Sequence, residues 1–446
     1  MLINFSIRNW MSYKGETKIS LVASREQQHG ETLAAVQRLK LRILPIIMLF
    51  GGNASGKSNF FKSLAFSKFF IRFGTQMQPD EPIHIEPFLL DRESPNQPTE
   101  FRFSILVGDD AYDYSFAATS TRIIEEKFIR RTCPARDLSY SRTWNADKQN
   151  YDYKFGKALD PEKQLAELIS RGTRENQLFL SVASSQNLLA LLPVYNWFTK
   201  TLQLVSPLER YTPIERYADK SWPSSLRVNE MLRAFDTGIS EIKRTVIQRN
   251  EIPIDQMLLE SFIRQTREGS TLRVNKHDET MPYLITRHDG NLIFEKLTAC
   301  HQAKSGNGDH AEFELSHESE GTQRILDLLP AFAELESNAN PKVYVIDEID
   351  RQLHTMATQR LINLFLQSRS PSSRSQILAT THDLLLMDQE LFRRDEMWLA
   401  ERNTNTEISH ITSVNSFLET RKNLELRKYY LAGKMGGIPS ILQNRV

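Results

Sequence analysis

The sequence has few cysteines, no surplus of either charge and no long apolar run. Cys133 and Cys300 are its only cysteines. They lie far apart, so neither a disulfide framework nor a cysteine-based metal cluster can be built from them, and a reduced, cytoplasmic setting is expected. Lys plus Arg number 56 against 55 for Asp plus Glu, a formal net charge of +1. That balance leaves no overall electrostatic footprint for nucleic acid, although a local basic patch is still compatible with it. The longest apolar stretch, near 43–50, is too short to span a bilayer and is interrupted by Pro45. The first residues, Met1-Leu2-Ile3-Asn4-Phe5, lack a basic region followed by an apolar one, so no signal peptide and no membrane association is expected. Hydrophobic residues make up 40% and charged ones 25%, which excludes wholesale disorder and points to a globular chain. At 446 residues, two to three lobes are expected.

The pattern along the chain is that of an α/β lobe split by an insertion. Residues 1–8 and 16–23 alternate apolar and polar around Gly15, which predicts a hairpin. Residues 43–50 (ILPIIMLF) predict a strand buried on both faces, and 58–72 a helix. Two more strands are expected over 101–107 and 111–118. Residues 160–205 and 225–268 read as helical or mixed, and 282–300 as a hairpin turning at His288-Asp289-Gly290-Asn291. The last third returns to strand and helix in alternation: a helix after Ser319, a strand at 342–346, a helix over 353–369, then strands at 376–380 and 397–400. The expected domains are 1–125, the first α/β lobe; 126–310, a mostly helical insertion with a β-hairpin, offering a dimer or partner surface; and 311–446, the returning lobe.

The strongest motif is Gly51-Gly52-Asn53-Ala54-Ser55-Gly56-Lys57-Ser58, which fits G-x-x-x-x-G-K-[ST] at every fixed position. The strand before it and the helix after it supply the right setting. Gly51 and Gly56 permit backbone geometry that a side chain would block. Successive N–H groups then converge on phosphate oxygens, and the helix starting near Asn59 adds its positive end. Lys57 is expected on the β- and γ-phosphates of ATP and Ser58 on Mg²⁺.

Residues 343–348 read Val-Tyr-Val-Ile-Asp-Glu, a buried strand that ends in two acids at the edge where ligands sit in α/β sheets. Asp347 is the expected partner of Mg²⁺, and Glu348 the base that polarises the attacking water. Asp350 is read either as facing a partner's site or as capping the next helix, and His354 as a packing residue. Residues 315–324 place Ser319 and Gly321 at a helix start, a second anion site. Because the chain already has a phosphate loop, a head-to-tail pair of subunits is the natural arrangement, each placing this turn on the other's γ-phosphate. His382, just past the strand 376–380, is read as contacting that same phosphate.

These four motifs, in this order and with an insertion before the Ser-Gly helix, resemble the ABC-type ATPase heads of the SMC and RecF group. Asn53 and the segment NWMSYKGE (9–16) resemble that group too. A closer resemblance is to the stand-alone ATPases of bacterial anti-phage systems: the AbiL and RloA type, the Septu and retron-associated ATPases, and the ATPase half of OLD nucleases. It is carried by IMLFGGNASGKSNFFKSL (47–64), VIDEIDRQLH (345–354) and YYLAGKMGGIPSI (429–441). The resemblance implies the fold of an ABC-type P-loop head with a mixed sheet. It also implies ATP-dependent homodimers or higher even oligomers, and a separate nuclease or toxin subunit of HNH or Toprim type. DNA or a retron-type RNA/DNA is a further partner of that class. Ser319-Glu320-Gly321 departs from the Ser-Gly-Gly of transporters, so hydrolysis is expected to be slow. The alternatives are a RecF-like DNA repair ATPase and a scaffold that binds ATP without turnover.

Two other constellations carry little. His277, His288, His301, His310 and His317 lack metal-ligand spacing and read as solvated loop residues. Arg421, Lys422, Arg427, Lys428 and Lys434, beside Tyr429 and Tyr430, read as a solvated basic helix face. Gly433, Gly436, Gly437 and Pro439 end that helix.

Overall fold

A computed structural model describes residues 1–131, 136–207, 225–274, 283–302, 310–417 and 426–436. Cys133, His277, Arg421, Lys422, Gly437 and Pro439 lie outside the described residues, as does the side chain of His310. The chain divides into two compact units. The first is Met1–Pro207, Leu335–Asp350 and Ile362–Val446; the second is Leu208–Glu334 and Arg351–Leu361.

The first unit is built on a six-stranded sheet in the order Leu202–Val205, Val343–Ile346, Gln376–Thr381, Ile46–Phe50, Met397–Arg402, Ser409–Ser413. Every neighbouring pair is parallel except the last, which is a hairpin. Ile46–Phe50 is buried at all five positions, which explains why its sequence is a continuous apolar run rather than an alternation. The expected hairpin near the start of the chain is present as Leu2–Arg8 and Thr17–Ser20. It belongs to a second, seven-stranded antiparallel sheet that runs on through 99–107, 110–118, 123–131, 136–145 and 150–155.

Helix Lys57–Phe73 joins the two sheets. Its Phe60 ring meets Phe5 at 5.3 Å and its Phe66 ring meets Phe101 at 5.4 Å, both on the antiparallel sheet. Phe60 and Phe61 also border a small apolar gap shared with Ile47, Leu49 and Val345 of the parallel sheet. The helix is thus clamped along its length, and its first turn, which carries Lys57 and Ser58, has little freedom to drift.

The reading of 126–310 as mostly helical is corrected here. Helices do occupy 163–172, 179–185 and 192–196, but 123–155 forms three strands of the antiparallel sheet and the second unit holds a sheet of its own. The physical reason is a pair of charged residues on the buried face. Glu126 and Arg142 are both fully buried and break the period-two apolar signal. Glu126 accepts from Tyr114 Oη (3.0 Å), Tyr140 Oη (2.7 Å) and the backbone N–H groups of Phe179 (2.7 Å) and Leu180 (3.0 Å). Arg142 donates to the carbonyls of Gln177 and Arg174 and lies 3.6 Å from the Tyr151 ring centroid. Such a hydrogen-bonded network replaces apolar burial without its sequence signature.

In the second unit, strands 239–246, 291–302, 283–288 and 271–274 lie side by side, and 310–314 pairs with 291–302. The predicted hairpin turns as expected, with His288 opposite Asn291 and Asp289 and Gly290 both at positive φ. Cys300 is buried in this sheet. Among the described residues no helix is long and apolar enough to cross a membrane.

One buried carboxyl makes stability depend on pH. Glu396 sits where the chain enters strand 397–402, and its Oε2 accepts from the Arg393 backbone N–H at 2.9 Å. Burial pushes its carboxyl up to about 8, despite the nearby Arg393. The folded protein therefore holds a proton that the unfolded chain releases near pH 4.5. This contribution is full below that pH and is lost as pH rises towards 8, by at most about 1.4 kcal/mol per pH unit. Thermal melts between pH 5 and 8 should show Glu396→Gln with a flatter decline than the unchanged protein. Parallel declines would show that Glu396 does not carry this proton.

Candidate nucleotide site

The phosphate loop leaves the parallel sheet at Phe50 and enters the helix at Lys57. Its glycines are steric requirements. A Cβ on Gly51 would lie 2.5 Å from the Ala400 carbonyl oxygen, in the neighbouring strand. Gly56 has φ +107°, and a Cβ there would lie 2.6 Å from Ser409 Oγ and 2.9 Å from Tyr13 Oη. Two residues of the 9–16 segment brace the loop from outside. Tyr13 Oη donates to the Gly56 carbonyl (2.9 Å), and Trp10 Nε1 donates to the Asn59 carbonyl (2.9 Å). Asn59 itself spends its side-chain amide on Ser12 Oγ at 2.9 Å. It therefore fixes the N-terminal segment to the helix as well as bordering the cleft.

Lys57 is almost wholly buried. Its Nζ donates to the carbonyls of Gly51 (2.8 Å) and Gly52 (2.9 Å) and lies 3.4 Å from His382 Nδ1. Burial pushes the ammonium down to about 8, against the pull of Asp347, Glu348 and Asp350. A desolvated cation facing three carboxylates and ringed by loop carbonyls is suited to an incoming polyanion. Asn53, Ala54, Ser55, Gly56, Lys57, Ser58, Asn59, Glu348 and His382 all border one cleft of about 790 Å³. That volume lies in the range of small-molecule sites.

The acids arrive from the strand two places away. Asp347 and Glu348 follow Val343–Ile346, and the strand between them and the loop, Gln376–Thr381, delivers His382. Thr380 organises both acids. Its hydroxyl donates to Asp347 Oδ1 (2.6 Å) and accepts the Glu348 backbone N–H (2.8 Å). Glu348 takes φ +52°, an unusual conformation for a side-chain-bearing residue. Its Oε1 lies 3.6 Å from His382 Nε2. His382 is thus within reach of both the loop lysine and the acid. Thr380 carries no motif of its own, although it ends the strand read over 376–380, two residues before His382.

Asp350 is partly buried and is spent on the strand beside it rather than on the next helix. Its Oδ2 accepts the His382 backbone N–H at 3.3 Å, and its Oδ1 is buried. His354, expected to pack, is instead exposed, with Nδ1 accepting the Met356 N–H at 3.2 Å, as a cap on helix Thr355–Gln367. Ser319 and Gly321 belong to the second unit. Ser319 is exposed at the start of helix Glu320–Glu336, with Oγ accepting the Thr322 N–H at 3.1 Å. A Cβ on Gly321 would meet the Gln352 carbonyl at 2.9 Å, so this turn is held close to the 350s segment. In the tail, Tyr430 is buried and Lys434 covers the Tyr429 ring at 5.2 Å, so neither aromatic is arranged as an open stacking platform.

Among the described residues no group of three or more His, Cys, Asp or Glu could hold a metal ion by itself. Magnesium fits here on other grounds. It binds through one or two protein oxygens together with phosphates and water, and Ser58 and Asp347 are such donors.

A parallel sheet with a phosphate loop, an acidic strand end two strands away and a histidine on the strand between has the arrangement of a P-loop nucleotide-binding ATPase domain. The chain belongs to the family described as "AAA domain, putative AbiEii toxin, Type IV TA system", whose model matches residues 46–388. Among solved structures, one described as "Crystal structure of the SmcHead bound to the C-winged helix domain of ScpA" is 13% identical with a TM-score of 0.40, covering 92% of this chain and 97% of that one. An SMC head domain from Thermotoga maritima is 11% identical with a TM-score of 0.34, covering 92% and 98%. No curated protein matches this sequence significantly.

Proposed function

We propose that this chain binds and hydrolyses ATP as the regulatory ATPase of a bacterial anti-phage defence complex, and that its nucleotide state controls a separate nuclease or toxin. The observation that carries the ATPase part is the position of His382, 3.4 Å from Lys57 and 3.6 Å from Glu348. Cation, imidazole and acid line one cleft, each in the segment that follows one of three adjacent strands of one sheet.

In this reading the backbone N–H groups of 51–58 and Lys57 bind the phosphates. Ser58 and Asp347 hold magnesium, which when bound neutralises charge on the phosphate oxygens. Glu348 accepts a proton from the attacking water, and Thr380 keeps the acid pair in register. His382 orients the γ-phosphate. Ser319 and Gly321 act in trans, on the nucleotide of a second subunit, so that ATP joins two heads and hydrolysis releases them. The insertion offers the surface for an effector. The family description, which names a toxin of a type IV toxin–antitoxin system, supports a defence setting.

The test is to purify the tagged chain from its native cell with ATP present. A co-purifying nuclease or toxin, released by mutation of Lys57, is the expected result. A partner-free dimer acting on gapped DNA, with strongly salt-dependent affinity, would overturn the defence reading in favour of DNA repair.

A further inference from the structure

We propose that the Arg402 guanidinium, held by Glu407 at the hairpin beside the phosphate loop, binds the base of the nucleotide by stacking on it. The inference rests on the cleft being the nucleotide site.

Strand Met397–Arg402 runs parallel to Ile46–Phe50 and pairs with it directly, Leu399 opposite Phe50. Both strands end at the same edge of the sheet, where ligands of α/β proteins collect. The loop after one strand is built for phosphate. The residue ending the other, Arg402, borders the same cleft. A triphosphate seated on the loop leaves the rest of the nucleotide to occupy the remainder of that cleft.

That remainder has an apolar side and a charged corner. Met11, Ile85, Leu89 and Leu90 provide the first, and Arg402 with Glu407 the second. Leu89 and Leu90, 70% and 61% exposed, offer adjacent apolar side chains that a flat ring could cover. The segments that carry these residues are far apart in sequence but fixed to one another. The Met11 N–H donates to the Glu86 carbonyl at 2.7 Å, and the Ser409 N–H donates to the Ser12 carbonyl at 2.8 Å. The cleft is therefore preorganised, with three chain segments locked around it.

The state of Arg402 decides which part of the nucleotide it meets. It forms an ion pair with the Glu407 carboxylate, and its Nε donates to the Glu407 carbonyl at 3.3 Å. A guanidinium neutralised in this way is a weak phosphate ligand. It keeps its planar, weakly hydrated face, which stacks on aromatic rings. Lys57 is the cation placed for the phosphates; Arg402 is placed for a base.

The experiment is calorimetric titration of the full chain with ATP and, in parallel, with inorganic tripolyphosphate, each with Mg²⁺. Arg402→Ala is expected to weaken ATP binding about tenfold or more while leaving tripolyphosphate within about twofold, as loss of one base-stacking partner does. Arg402→Lys should fail to restore ATP binding, because an ammonium has no planar face. Leu89→Asn, at an exposed position remote in sequence from the hairpin, should also weaken ATP and spare tripolyphosphate. It decides the matter if Arg402→Ala does not fold. Unchanged ATP affinity in both variants overturns the proposal. So does an equal loss of tripolyphosphate, which would make Arg402 a phosphate ligand. If the unchanged protein binds neither compound, or Lys57→Ala alters neither, the nucleotide-site reading itself fails, and this inference with it.

Discussion

Lys57→Ala is expected to cost the protein its nucleotide, raising the ATP dissociation constant about a hundredfold, the scale of removing a charge-assisted contact from a desolvated site. The argument is electrostatic. Lys57 is the buried cation of the cleft, and Asp347, Glu348 and Asp350 all act on it. Without it, a polyanion entering the cleft would meet carboxylates with no compensating charge. The same loss leaves those carboxylates less well balanced in the free protein, so a melting curve of the variant should accompany the titration. Lys57→Arg keeps the charge but puts a larger planar group where Nζ fits between two carbonyls, and should recover little. Wild-type affinity in Lys57→Ala would show that ATP is bound elsewhere.

Glu348→Gln is expected to lower ATP hydrolysis by about 10²–10⁴-fold, the usual scale for losing a general base, while ATP still binds. The amide preserves the size of the side chain and tolerates the same left-handed backbone. The Thr380 hydroxyl would still accept the backbone N–H at that position. Loss of proton-accepting capacity is therefore the main change. If hydrolysis separates ATP-joined heads, as proposed, light scattering should then find the variant accumulating as a dimer in ATP. Hydrolysis equal to that of the unchanged protein would remove Glu348 from the role of base and favour a scaffold that only binds ATP.

The parts of the site that were legible in the sequence are those whose chemistry is concentrated in short runs. The phosphate loop, Asp347-Glu348 and His382 each follow a strand whose apolar residues are contiguous, so both motif and setting could be read together. The flanking strands were legible for the same reason: Ile46–Phe50 and Gln376–Thr381 are buried at every position. The strands over 123–155 were not, because Glu126 and Arg142 stand where an apolar inward position would be expected. Their partners, Tyr114, Tyr140 and the carbonyls near 174–177, are fixed only by the tertiary fold. Thr380 and Arg402 carry no sequence signal of their own for a related reason. A threonine in a β-strand and an arginine near a turn are common, and their meaning comes from neighbours distant in sequence. The segment 9–16 was noticed by its likeness to a family, and the structure supplies its physics: Trp10 and Tyr13 hold carbonyls of the phosphate-loop region.

The close fit of Gly56 beneath Ser409 and of Gly51 against Ala400 has a consequence for biosynthesis. The loop emerges from the ribosome early, but the walls that shape it are translated hundreds of residues later. A nascent chain halted before Ser409 carries the complete phosphate motif without the backbone that confines it. The loop can therefore take its final, confined shape only after the strands that carry Ala400 and Ser409 have joined the sheet.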